Sequence, residues 1–102
     1  MTTYPINPAI TRGIRSEWEA EATLDFGPRY RTLADASEGV RVWSAVCQDS
    51  LATIKRARWL RADWMADREA VMLAGHRAEL EQARQAVAAL TELDTVLSER
   101  GL

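Results

Sequence analysis

The sequence predicts an all-α protein: a long antiparallel helical hairpin, coiled-coil-like in its pairing, preceded by two short helices and an extended N-terminal arm. Three observations carry that expectation. Residues 35–100 contain no proline, so nothing in them forbids helix. Leu73, His76, Leu80, Ala83, Val87, Leu90, Asp94 and Leu97 recur at alternating steps of three and four, the spacing that lines one face of an α-helix. Finally, Ser16-Glu17-Trp18-Glu19 and Asp35-Ala36-Ser37-Glu38 both read as capping boxes, in which the first side chain accepts from a backbone amide three residues on and the glutamate reaches back.

The elements follow in order. Met1–Gly13 holds Pro5, Asn7, Pro8 and Gly13, residues that break regular structure, so an arm is expected, with Tyr4, Ile6 and Ile10 able to lie in a groove. A short helix should run from Glu17 to about Leu24, its early Glu17, Glu19 and Glu21 suiting the positive end of the helix dipole. Asp25-Phe26-Gly27-Pro28 stops it, and Pro28 starts a second short helix through Ala34. The long helix then begins at Asp35. Its apolar stripe reads Val40, Trp43, Cys47, Leu51, Ile54 and then loses phase: Trp59, Leu60, Trp64, Met65, Val71 and Met72 spread around the circumference. Unbroken to Glu99, this helix would be on the order of 95 Å long, more than a lone chain of this size covers. Gly75 sits beside the phase change at Leu73, so the turn is expected near Ala74–His76. A helix running straight through Gly75, at a cost of about 1 kcal/mol and covered by oligomerisation, is the second reading. A break at Arg61–Asp63, with Asp63 capping the last helix, is the third.

The 102 residues are 47% hydrophobic and 27% charged, a balance that supports one folded domain with a thin core. The expected division is an arm over residues 1–15 and a helical domain over 16–102, with the short helices in 16–35 and the hairpin in 36–100. A net charge of −2 provides no global basic field for nucleic acid or anionic lipid. Its distribution says more. Lys55, Arg56, Arg58 and Arg61 form a run without an acid, whereas residues 69–102 hold six acids against three arginines. Cys47 is the lone cysteine, which rules out a disulfide within these residues and suits a reducing compartment. Met1–Ile10 lacks the basic and apolar regions of a secretory signal, and no apolar run approaches the roughly 20 residues of a membrane-spanning helix. The cytoplasm of a bacterium, or of a phage-infected cell, is the expected location, with no membrane partner.

No catalytic residue, metal site or cofactor is expected. His76 and Cys47 are single and lie on apolar stripes, where packing is the simpler explanation. Structural zinc wants about four sulfur or nitrogen ligands, and no phosphate-cradling glycine loop occurs. Two partner readings remain. In the first, a non-catalytic protein docks through Trp59, Trp64, Met65, Met72, Arg58 and Arg61, the mixture of tryptophan, methionine and arginine that dominates protein interfaces. Its partner is a protein or a second copy, since His76 and Asp94 in a seam are the kind of polar residue that fixes register or oligomer number. Small phage structural proteins, inhibitors and helical adaptors share this general type, by analogy and not by motif. In the second reading, a nucleic-acid-binding subunit uses Lys55, Arg56, Arg58 and Arg61 beside Trp59, with Arg29 and Arg31 at the start of a helix-turn-helix recognition helix.

Overall fold

The computed structural model describes residues 8–26 and 28–101. Helix α1 spans Pro8–Ala22, and two single 3-10 turns follow at Leu24–Phe26 and Pro28–Tyr30. Helix α2 spans Leu33–Trp59 and helix α3 Asp63–Glu99. The two long helices pair antiparallel into a hairpin, and the molecule is a rod of 75 × 18 × 17 Å. Its radius of gyration is 19.8 Å, against about 13 Å for a globular domain of this length. Among the described residues no helix is long and apolar enough to cross a membrane.

The hairpin turns at residues 60–62, the third of the three expected positions, and α3 runs unbroken through Gly75. The turn chemistry is explicit. Arg61 adopts a left-handed φ of 59°, its amide donates to the Arg58 carbonyl at 3.0 Å, and the Ala62 amide reaches back to Ala57 at 2.8 Å. That pair of bonds is the Schellman closure, whose left-handed position glycine usually holds. Here an arginine holds it, so the signal that marks most helix ends is missing. Arg61→Gly should therefore raise stability by about 1 kcal/mol, read as a higher thermal midpoint. Asp63 does not cap α3; Ala62 is the N-cap and makes no side-chain bond, while Asp63 sits in the first turn, where its charge suits the dipole.

The apolar seam keeps its phase across Gly75, and nothing there requires a glycine, since a Cβ would meet nothing within 4 Å. Ala66 and Glu69 continue the Leu73–Leu97 stripe backward by the same steps. On α2 the facing seam is Ala36, Val40, Trp43, Cys47, Ser50, Ile54 and Ala57. Ser50 is buried whereas Leu51 is exposed, so the stripe steps by three at the position where a step of four was expected. Two clusters form the core: Tyr30, Ala36, Ala83, Ala86 and Leu90 at one level, and Cys47, Leu73 and Leu80 at the next. Val40 packs against both.

The N-terminal elements also start elsewhere than expected. Residues 8–15 are helical, with Pro8 as the first helical residue, a position that needs no amide; residues 1–7 of the expected arm, including Tyr4 and Ile6, lie outside the described residues. Ser16 is interior to α1 and caps nothing. Thr32 starts α2 by accepting from the Asp35 amide at 3.1 Å, so the box at Asp35–Glu38 lies inside the helix. Helix α3 has 37 residues against 27 in α2, an overhang of about 15 Å. Helix α1 packs on that overhang, where Arg15 donates to Asp94 at 2.7 Å; Arg29, in the turn Pro28–Tyr30, donates to Glu79 at 2.8 Å within the paired part of α3. These pairs are largely exposed and tie the segment in register at under about 1 kcal/mol each. On the outer face of α2, a hydrogen bond from Arg41 holds the Glu38 carboxyl below the usual carboxylate range. Any stability from that pair is present at neutral pH and is lost as pH falls through the lowered value, and full exposure keeps it small.

Candidate functional site at the hairpin tip

Toward the tip, the seam between the arms narrows to small and polar residues. Ala57 and Ala66 are buried, and the Ser50 hydroxyl donates to the Glu69 carboxylate at 2.8 Å across the pair. Alanine and serine let the two backbones approach closely, which leaves no room between them for large side chains. The large apolar residues of this region are consequently outside. Trp59 is 82% exposed, Trp64 67% and Val71 76%, and Leu60, Met65 and Met72 are also on the surface. These six are the last turn of α2, the connection and the first three turns of α3.

On α3 they form a second stripe. Trp64, Met65, Arg68, Val71 and Met72 recur at helical spacing on a flank beside the seam, and Trp64, Met65, Arg68, Glu69 and Met72 line a shallow groove of about 180 Å³ together with Thr53 of α2. The apparent loss of phase after Ile54 is thus two overlapping stripes, one of small residues facing in and one of large residues facing out. The sequence reading found Trp59, Trp64, Met65 and Met72 and overlooked Arg68 and Val71 as members of the same surface. Their spacing of four and seven from Trp64 was the available signal.

Lys55, Arg56, Arg58 and Arg61 are all exposed, and none enters an ion pair among the described residues. Arg56 and Arg58 lie in the last turn of α2, where cations suit the negative end of the dipole. The structure therefore brings Trp59, Trp64, Met65, Met72, Arg58 and Arg61 to one end of the rod. Arg29 and Arg31 are at the other end, about 40 Å away along α2, and Arg29 is engaged by Glu79. No helix-turn-helix is present there: Pro28–Tyr30 is a single turn, and the helix after it is the hairpin arm. Burial of Tyr30 against α2 sets that geometry.

Other candidate groups serve packing. The His76 ring lies on Trp43, 5.7 Å between centroids and tilted by 30°, and Cys47 is buried against Leu73 and Leu80. Among the described residues no group of three His, Cys, Asp or Glu side chains is placed to hold a metal ion. Because Trp59 contacts so little, Trp59→Ala should change folding stability by less than about 0.5 kcal/mol in denaturant titration. The chain matches no protein-family model, no characterised protein and no solved structure to a significant degree.

Proposed function

We propose that the protein is a non-catalytic docking or assembly protein of the cytoplasm, which binds a protein partner through its hairpin tip. The observation that supports this reading most is the exposure of Trp59, Trp64, Val71 and Met72 beside a seam already closed by Ala57, Ala66, Ser50 and Glu69. Burying such residues is worth roughly 1.5–3 kcal/mol each, and the fold leaves that free energy unused. Tryptophan and arginine at the centre of a surface, with methionines that adapt in shape, are what protein interfaces concentrate.

A photo-crosslinking residue placed at Leu60 or Met65, both exposed at the tip, tests the reading in cell extract. Discrete protein adducts are expected from the tip and none from Ala78 or Gln82 on the outer face of α3, and Trp59→Ala with Met72→Ala should remove them. Equal labelling from both faces would sink the proposal.

The exposed run Lys55, Arg56, Arg58 and Arg61 beside Trp59 supports a second reading, binding to nucleic acid. Four phosphate contacts predict roughly a hundredfold loss of affinity over a fourfold rise in salt. Arg58→Glu with Arg61→Glu should then abolish binding to DNA or RNA oligonucleotides. Unchanged binding in that variant removes the reading.

A further inference from the structure

The two ends of the rod differ in chemistry in a complementary way. Residues 46–78, about the tip third, carry six cations and four acids, and the remaining residues seven cations and eleven acids. The tip presents Trp59 among Arg56, Arg58 and Arg61. At the far end, α1 and α3 leave a groove of about 350 Å³ lined by Trp18, Glu21, Ala22 and Leu93. Its floor is apolar. Glu21 on its wall, and Glu17 and Glu92 beside it in sequence, are exposed and enter no ion pair among the described residues. Two cations lie nearby: Arg15, paired with Asp94, and Arg100, whose guanidinium stacks over the Trp18 ring at 5.5 Å.

One molecule cannot join its own ends. Ala62 and Leu93 are separated by about 45 Å of unbroken helix, so a contact between tip and groove is intermolecular. Resting on the docking reading above, we infer that the partner is a second copy of this chain, held head to tail: the Trp59 indole of one protomer enters the Trp18–Leu93 groove of the next, with Arg58 and Arg61 against Glu21 and Glu92. Such a contact joins two different surfaces, so every protomer added leaves one tip and one groove open, and the assembly grows as a series. One indole and two arginines in a groove of about 350 Å³ make a joint smaller than the ~800 Å² per partner of a standard interface. The joint is therefore weak and concentration-dependent, and screening of its charges loosens it several-fold.

The test uses light scattering on the full chain, at about 0.01 M and about 0.5 M salt, where the screening length falls from roughly 30 Å to a few ångströms. At low salt the wild type should rise above its 11.4 kDa monomer mass with concentration, without a plateau. A tip variant, Arg58→Glu with Arg61→Glu, and a groove variant, Glu21→Lys with Glu92→Lys, should each be monomeric. Mixed, they should assemble again, because the intact tip of one variant meets the intact groove of the other and the two charge-reversed surfaces match each other in turn. Circular dichroism should show both variants still helical, all four positions being exposed. A wild type that stays monomeric to millimolar concentration overturns the inference, as does a closed dimer that survives both variants or a mixture that stays monomeric. The docking reading is judged separately: it stands if the tip crosslinks to foreign proteins while the chain itself stays monomeric, and it falls if neither occurs.

Discussion

Leu90→Ala should destabilise the protein by about 2–5 kcal/mol, a large effect for one side chain of the hairpin core. Leu90 is 3% exposed and packs in one cluster with Tyr30, Ala36, Ala83 and Ala86. Three of those neighbours are alanines and cannot extend into the space that truncation leaves. The backbones of α2 and α3 already meet there through Ala36 and Ala86, both fully buried, so the helices cannot close further. The cavity stays, and its lining loses its contacts outright. A rod this thin has little reserve against a total stability of about 5–15 kcal/mol. Thermal unfolding should show a fall of more than about 10 °C. A loss under 1 kcal/mol would mean that the two core clusters are not packed as described.

The second large effect has an unexpected sign. Glycine inside a helix is normally a liability, and Gly→Ala stabilises by about 1 kcal/mol. Gly75 should behave that way, because nothing would touch the added methyl group. Gly39→Ala should instead destabilise by about 1–3 kcal/mol. A Cβ at Gly39 would stand 2.6 Å from Cε1 of Tyr30 and 3.2 Å from its Cζ. The Tyr30 ring is 4% exposed and pinned by the turns on either side of Gly27, so it cannot step aside without opening the seal between the N-terminal segment and α2. In a Tyr30→Ala background Gly39→Ala should cost little further, because the clash goes with the ring. Parallel denaturant titrations of Gly39→Ala and Gly75→Ala decide the matter: shifts of the same sign would remove the close approach from the account of this fold.

Helix content, the antiparallel hairpin and most of the inward stripe from Leu73 to Leu97 were legible in the sequence; Asp94, expected in that stripe, is instead exposed and pairs with Arg15. The legible features rest on spacings of three and four residues, which local geometry alone converts into a helix face. The exposed tip set was partly legible for the same reason: large residues on several sides of one helix cannot all face a single neighbour. The location of the turn was not, because its usual marker is a glycine and here Arg61 takes the left-handed position, leaving Gly75 as a false marker in the middle of α3. Nor was the choice of Ser50 over Leu51 for the seam. Hydrophobicity favours the leucine, whereas close backbone approach near the tip selects the smaller side chain, and that approach exists only once the two helices are paired. Pro8–Arg15 reads as an arm by composition and is instead the first half of helix α1, which Arg15 ties to Asp94 of α3. Arg15 with Asp94, Arg29 with Glu79 and Tyr30 on Gly39 join residues that the chain separates. Local periodicity thus determined which segments are helices, and the pairing of α2 with α3 decided which residues are core and which are left for a partner.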